Sequence, residues 1–500
     1  MFFVYLLSGL FLGWSLGAND AANVYGTAVG TRMMKFRTAA IACSLFVLVG
    51  AVVGGAGASH TLGKLGAVNA LPGSFTVALA AGLTVAWMTR LKLPVSTSQA
   101  VVGAIIGWNF FAGATTDYGS LTKIVSSWVL CPVLAAVFAA LLYKLVQVIL
   151  KFAHVHLFQM DVMTRYGLFV VGAFASYSLG ANNIANVMGV FVPSAPFDHL
   201  DVFGLFRLSA GQQLFFLGAI AIGVGVFTYS KRVMLTVGSD LFRLSPMAAL
   251  IVVLAQAIVL FLFSSEPLEN WLIRHGLPPI PLVPVSSSQA VIGAVIGIGL
   301  LKGGRNIQYR VLGRIASGWV STPVLAGVMS FVLLFVVQNV FSQRVHEAVV
   351  HRISPEVVVE LKQRGLYDEG LEELVDRRFE GALALQRAVS DRVAGATDAK
   401  VVVELARVQL MVVDIERLKP FWDYEWYSEE QMTAVFRLHG RRFDHGWQLD
   451  AALAGLSDEW RSRPKTRQNR LYNKKLAEKR AHLHSLLSSP PPESRKLPGG

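Results

Sequence analysis

The sequence predicts an all-α polytopic membrane protein, with two halves that repeat one another in inverted orientation and a mainly helical soluble domain after them. Three observations carry this expectation. Of the 500 residues, 53% are hydrophobic and only 15% charged, where a soluble domain carries about 25% charged residues. Apolar stretches of spanning length recur along residues 1–341. Polar motifs of the first half return in the second half in the same order. Such a composition excludes an ordinary soluble fold and a disordered chain. Cys43 and Cys131 both lie in apolar runs, so neither a disulfide framework nor a cysteine metal site is expected.

A spanning helix needs about 20 mostly apolar residues. Stretches of this kind cover 2–29, 38–58, 73–89, 122–150, 166–192, 208–229, 245–264 and 311–341. The first lacks a basic start and a cleavage site, so it reads as a span and not as a signal peptide. Two further stretches, 94–110 and 284–301, are too short and too rich in Gly and Ser for ordinary spans.

Charge placement supplies the orientation. Residues 1–341 carry 19 Lys and Arg against 8 Asp and Glu, while residues 342–500 carry 26 against 24. The basic excess belongs to the apolar part, where basic loops report membrane sidedness, so no nucleic-acid partner is expected. With the N-terminus outside and one net crossing per short segment, fifteen Lys and Arg fall on one side. Only Lys64, Lys123, Arg207 and Arg274 fall on the other. Each half then crosses five times, and the second enters from the opposite side. This is the inverted-repeat plan of secondary transporters, whose binding site lies at the repeat interface near midplane.

The repeat is specific. Gly17-Ala18-Asn19-Asp20-Ala21-Ala22-Asn23 returns as Gly180-Ala181-Asn182-Asn183-Ile184-Ala185-Asn186. Pro94-Val95-Ser96-Thr97-Ser98-Gln99 returns as Pro284-Val285-Ser286-Ser287-Ser288-Gln289, and Trp128 with Pro132 as Trp319 with Pro323. The offsets are 163, 190 and 191 residues. Chance likeness between apolar helices explains shared Leu and Ala, but not Asn pairs and Ser runs in matching order.

Asp20 is the one acidic residue inside an expected span of 1–341. An intramembrane carboxylate is expensive and faces the bundle interior. A structural Asp bonded to a neighbouring helix is one explanation; a cation or proton site is the other. Asn19, Asn23, Asn182, Asn183 and Asn186 surround it with amides, and such oxygen ligands suit a small hard cation such as Na⁺. The Pro-Val-Ser segments read as helix starts, with Pro in the first turn followed by hydroxyls. A helix N-terminus offers free N–H groups and the positive end of its dipole to an anion. Back-bonding of Ser and Thr to their own helices is the plainer account. Neither segment contains Lys or Arg, so an anion held there gains from a co-bound cation, and such coupling is reciprocal. A membrane enzyme using Asp20 lacks a second intramembrane acid, a His partner or a metal cluster, so no enzymatic activity is expected.

At these motifs the chain resembles the inorganic phosphate transporter family, the Pit-type permeases, which include the type III sodium–phosphate cotransporters. The duplicated Gly-Ala-Asn-Asp-x-Ala-Asn signature is matched closely by residues 17–30, and the paired Pro-x-Ser-Thr segments at 94 and 284 also match. The likeness covers about residues 1–341 and not the remainder. It implies inverted repeats with two re-entrant or broken helical hairpins meeting at midplane, a homodimer in membrane lipid, and Na⁺- or H⁺-coupled phosphate uptake by alternating access across a plasma membrane (a bacterial inner membrane). By motif position the cation residues fall on Asn19, Asp20, Asn23, Asn182, Asn183 and Asn186, with Asp20 the candidate Na⁺ ligand. The phosphate residues fall on Ser96, Thr97, Ser98, Ser286, Ser287 and Ser288, each run followed by Gln99 or Gln289. Two departures stand out. Asn183 replaces the usual Asp, removing one carboxylate. Gln99 and Gln289 replace a His that many members carry, and since Gln does not titrate they favour Na⁺ over H⁺ as the co-transported ion. No cofactor beyond that ion is expected. Sulfate or another tetrahedral oxyanion is the alternative cargo.

The expected division is 1–151 and 152–341 for the two repeats, 342–483 for the soluble helical domain and 484–500 for a disordered tail. Within the third region Ser354 before Pro355 reads as a helix cap. A sensor or scaffold role for the whole chain rests on that region alone.

Overall fold

The computed structural model describes residues 2–66, 68–90, 95–153, 156–195, 197, 200–202, 206–236, 245–303, 309–390, 396–419, 426–464 and 466–488. The chain forms two compact units. One comprises Met1–Phe111, Thr116–Glu269 and Ile280–Glu347; the other comprises Ala112–Thr115, Asn270–Pro279 and Ala348–Gly500.

The apolar stretches fold as helices: α1 (Phe2–Gly30), α2 (Phe36–Gly54), α3 (Ala56–Leu65), α4 (Leu71–Arg90), α5 (Thr97–Ala112), α6 (Tyr118–Ala153) and α7 (Leu157–Met188). A two-stranded ribbon of β1 (Leu200–Val202) and β2 (Phe206–Leu208) follows. The series resumes with α8 (Ala210–Thr228), α9 (Ser230–Thr236), α10 (Pro246–Ser264), α11 (Glu266–Arg274), α12 (Ser287–Leu301) and α13 (Tyr309–Asn339). Among the described residues, eight helices are long and apolar enough to cross a membrane. All eight expected spans are present with shifted ends. The stretch 38–58 divides at Gly55, where an added Cβ would crowd Ala51 O and the Ile184 side chain. The stretch 166–192 starts earlier, at Leu157, where the His156 ring accepts from Phe158 N, and it ends in a 3₁₀ turn, Gly189–Ser194.

The two short segments form α5 and α12. At 15 residues, α12 is about 22 Å long, less than the roughly 30 Å of a bilayer core. Both helices start later than expected, so Pro284 precedes the first turn instead of occupying it. Pro94 lies outside the described residues. Ser286 Oγ accepts from Gln289 N at 3.3 Å, and Ser96 Oγ accepts from Gln99 N at the same distance, so a serine caps each helix.

Glycines set which helices touch. A Cβ at Gly17 of α1 would overlap the carbonyl of Ile222 in α8, and one at its repeat counterpart, Gly180 of α7, that of Val47 in α2. Likewise Gly103 of α5 faces Pro323 O in α13, while Gly293 of α12 faces Pro132 O in α6. Backbones meet directly at these four places, a close approach that any side chain would prevent.

After α13 the chain folds back as a strap, residues 342–347. Trp108 Nε1 donates to Val345 O at 3.1 Å. Asn69 pairs with Glu347 twice, donating to its carbonyl at 2.8 Å and accepting from its N–H at 3.0 Å. Tyr5 Oη donates to Gln343 Oε1 at 2.9 Å, and Val345 is fully buried.

The second unit holds α14 (Pro355–Gln363), α15 (Ala382–Ser390), α16 (Ala396–Leu405), α17 (Ile415–Leu418), α18 (Glu429–Phe436), α19 (Gly446–Leu456) and α20 (Arg470–Leu487). Two further ribbons pair β3 (Val350–Arg352) with β4 (Arg378–Glu380) and β5 (Met411–Val412) with β6 (Arg442–Phe443). These ribbons and β1–β2 correct the all-α expectation. Their strands of two or three residues are too short to leave an alternating pattern. Ile353, Val357, Leu361 and Leu385 centre one core; Met411, Leu449, Leu453, Trp460 and Leu483 centre another. Ser354 occupies the N-cap of α14, but its hydroxyl makes no cap bond and instead pairs with His445 Nε2 at 3.3 Å. The tail expectation is corrected at its start. Residues 484–487 continue α20, because Leu487 extends the buried stripe of Leu476 and Leu483. Residues 489–500 lie outside the described residues.

Candidate functional site

Asn19, Asp20 and Asn23 lie along the second half of α1; Asn182, Asn183 and Asn186 close α7. Spacing of i and i+4 sets the outer pair of each triplet on one helical face. Asp20 is 4% exposed, and the three α7 asparagines are buried. Asp20 Oδ1 accepts from Asn19 Nδ2 at 3.0 Å, and Oδ2 accepts from Ser287 Oγ at 2.7 Å. Asn23 Nδ2 donates to the same Ser287 hydroxyl at 3.3 Å. The first signature thus meets the second Ser segment across 264 residues of sequence.

The second signature reaches both Ser segments. Asn186 Nδ2 donates to Ser98 Oγ at 2.8 Å. Asn182 holds Val285 from both sides, donating to its carbonyl at 2.7 Å and accepting from its N–H at 2.9 Å. Asn183 Oδ1 accepts from Asn186 at 3.0 Å and from Asn182 at 3.3 Å.

The two Ser segments also meet each other. Ser98 Oγ donates to Val285 O at 3.2 Å, and its counterpart Ser288 Oγ donates to Val95 O at 3.2 Å. Ser286 Oγ and Ser288 Oγ lie 3.0 Å apart. The first intrahelical bonds run from Ala100 N to Ser96 O and from Ala290 N to Ser286 O. The N–H groups of Thr97, Ser98, Ser287 and Ser288 therefore precede the helical ladder, as the leading donors of any helix do.

Several buried polar atoms have no hydrogen-bond partner among the described residues: Thr97 Oγ1, Gln99 Oε1, Gln289 Oε1, Asn183 Nδ2 and Asn186 Oδ1. A buried polar group left unpaired costs about 1–3 kcal/mol, so this concentration within two short motifs marks a place suited to a polar guest. Asp20 has no Lys or Arg ion pair among the described residues. Two hydrogen bonds offset only part of the cost of burying its charge. Ser96, Thr97, Gln99 and Gln289 form no direct bond to the Asp–Asn cluster among the described residues.

Sequence reasoning passed over the main-chain carbonyls of Val95 and Val285 and the Cys131 thiol, and elsewhere in the membrane unit it passed over Gln256. The main-chain carbonyls of Val95 and Val285 have no residue-type signal. Cys131 Sγ donates to Ser286 O at 3.6 Å. Gln256 of α10 is fully buried, with both amide atoms unpartnered among the described residues. It interrupts an apolar run much as Asp20 does, so the rule that singled out the acid reaches it too.

Comparison with known proteins bears on the whole arrangement. The profile of the phosphate transporter family matches residues 16–268 and 282–472. A Methanocaldococcus jannaschii protein named "Putative phosphate permease" is 27% identical over 66% of this chain and 95% of its own length. The sulfate permease of Bacillus subtilis is 28% identical over 66% of this chain and 86% of its own. A solved structure titled "The sodium-dependent phosphate transporter" superposes with a TM-score of 0.54 at 22% identity, covering 67% of this chain and 98% of that one. That likeness shows a common fold.

Proposed function

The chain belongs to the phosphate transporter family and is a multi-pass membrane transporter, not an enzyme; from that premise we propose that it carries inorganic phosphate together with a cation, Na⁺ in preference to H⁺, by alternating access. One observation carries the proposal: Ser287, in the second Ser segment, donates to the Asp20 carboxylate at 2.7 Å. The group that would hold the anion and the group that would hold the cation are then hydrogen-bonded neighbours. A cation on Asp20 favours an anion beside Ser287, and the reverse holds equally.

Ser96, Thr97, Ser98 and Gln99, with Ser286, Ser287, Ser288 and Gln289, are the phosphate residues of this reading. Asn19, Asp20, Asn23, Asn182, Asn183 and Asn186 are its cation residues. Swapped contacts between repeat counterparts, Gly17 with α8 and Gly180 with α2, support an inverted repeat. The reciprocal Ser98–Val285 and Ser288–Val95 bonds support two hairpins related by the same symmetry. A homodimer in the plasma membrane follows from the family resemblance.

Cargo identity turns on proton chemistry. Gln99 Oε1, Gln289 Oε1 and Asn186 Oδ1 are acceptors without a partner among the described residues. Protonated phosphate can donate to them, whereas fully ionised sulfate cannot. Likeness to a sulfate permease keeps sulfate as the second reading. Uptake of radiolabelled phosphate into proteoliposomes, with Na⁺ and pH gradients imposed separately and sulfate as competitor, tests all parts. The expected result is Na⁺-driven phosphate uptake that sulfate does not inhibit. Uptake driven by the pH gradient alone overturns the Na⁺ assignment, and full inhibition by sulfate overturns the cargo.

A further inference from the structure

The second unit has an uneven charge distribution. Residues 342–460 contain 15 Lys and Arg against 22 Asp and Glu, while residues 461–475 contain seven Lys and Arg and no acid. We infer that residues 461–475 form an electrostatic docking surface for the anionic headgroups of a lipid bilayer.

The run is held in a defined shape. Asn473 grips Arg463, accepting from its N–H and donating to its carbonyl, each at 2.9 Å. Asn469 Nδ2 donates to Pro464 O at 3.1 Å. Tyr472 Oη donates to Glu459 O at 2.9 Å. Leu476 and Leu483 seat α20 in the second core of the unit. Arg461, Arg463, Arg467, Arg470 and Lys475 are exposed on this framework; Arg461 pairs with Asp458 at 2.7 Å. Lys465 lies outside the described residues. Preorganised charge loses less side-chain freedom on binding than a loose basic tail.

Two arguments select a bilayer over a nucleic acid. Non-specific binding of single-stranded nucleic acid relies on aromatic faces for stacking. The one aromatic of the run, Tyr472, is covered by the Arg463 guanidinium, 4.0 Å from the ring centroid. The chain also spans a membrane, so its covalent tether keeps this unit at high effective concentration near lipid headgroups. Each Lys or Arg at an anionic surface strengthens binding about fivefold.

The test uses the full chain with Gln468→Cys, an exposed position, carrying an environment-sensitive fluorophore; Cys43 and Cys131 are buried and stay unlabelled. The protein is placed in nanodiscs of phosphatidylcholine, or of phosphatidylcholine mixed with phosphatidylglycerol. The expected result is a brighter, blue-shifted spectrum only in the mixed discs, reversed by high salt. Combined Arg463→Glu, Arg467→Glu and Arg470→Glu substitution should abolish the difference. The salt reversal is read in the otherwise unchanged chain, so misfolding of the triple variant leaves the outcome decisive. Identical spectra in both discs overturn the inference. So does a shift in phosphatidylcholine discs on adding RNA that exceeds the shift caused by phosphatidylglycerol.

Discussion

The two signatures share one sequence pattern and bond differently. Positions 23 and 186 keep the pattern but not the register: each asparagine donates to a serine of the opposite half's segment, Asn23 to Ser287 (the counterpart of Thr97) and Asn186 to Ser98 (the counterpart of Ser288). Positions 19 and 182 break it. Asn19 turns to the neighbouring Asp20, while Asn182 locks onto the backbone of Val285. Positions 20 and 183 differ in charge. Asp20 accepts from the other half, whereas Asn183 accepts only from its own helix among the described residues. Both arms thus bridge the halves; one carries a carboxyl group, while the other holds only amides and is clamped on Val285. The shared motif supplies the frame, and one difference, Asp20 against Asn183, supplies the lone carboxyl group.

Substitutions can break this contrast. The largest effect is expected for Asp20→Asn, which removes a charge-assisted bond of about 1.5–3 kcal/mol and the only carboxylate of the pair of signatures. Na⁺-driven uptake in proteoliposomes should fall by at least about tenfold; near-normal rates would show that Asp20 is structural. Asn183→Asp should restore symmetry of charge. The rate should then depend more steeply on Na⁺ concentration, and an unaltered slope would separate the second arm from the cation site. Asn182→Ala leaves the Val285 N–H unpaired and its carbonyl with the Ser98 hydroxyl alone, at a cost of about 1–3 kcal/mol, and should lower the thermal midpoint of the purified protein. Asn19→Ala should lower it less, since it opens no backbone group. Equal shifts would mean the clamp is not asymmetric. The smallest contrast is expected between Ser98→Ala and Ser288→Ala. Each loses two neutral hydrogen bonds of about 1 kcal/mol apiece, and the two melting shifts should agree; a clear difference would contradict the paired geometry of the segments.

Much of this was legible in the sequence. Long apolar runs located every expected span, because helix length in a bilayer is set by composition alone. The repeated motifs pointed to the residues of the polar cluster, because polar groups in apolar helices are conspicuous. What escaped was pairing. That Ser287 meets Asp20 depends on how helices of opposite halves pack, and Val95 and Val285 take part only through their backbones. The amphipathic α11 was missed because Glu266, Glu269 and Arg274 disqualify it as a span. The end of α20 was misread because the Ser and Pro run after Leu487 outweighed a leucine stripe that continues to that residue.

The strap after α13 has a mechanical consequence. Val345 is buried and receives the Trp108 indole, so the chain leaves the membrane unit while still attached to the last turns of α5. At its other end α5 begins with Thr97 and Ser98. A pull on the polypeptide beyond Glu347 therefore bears on a short rigid rod whose far tip holds Ser98 against Asn186 and Val285.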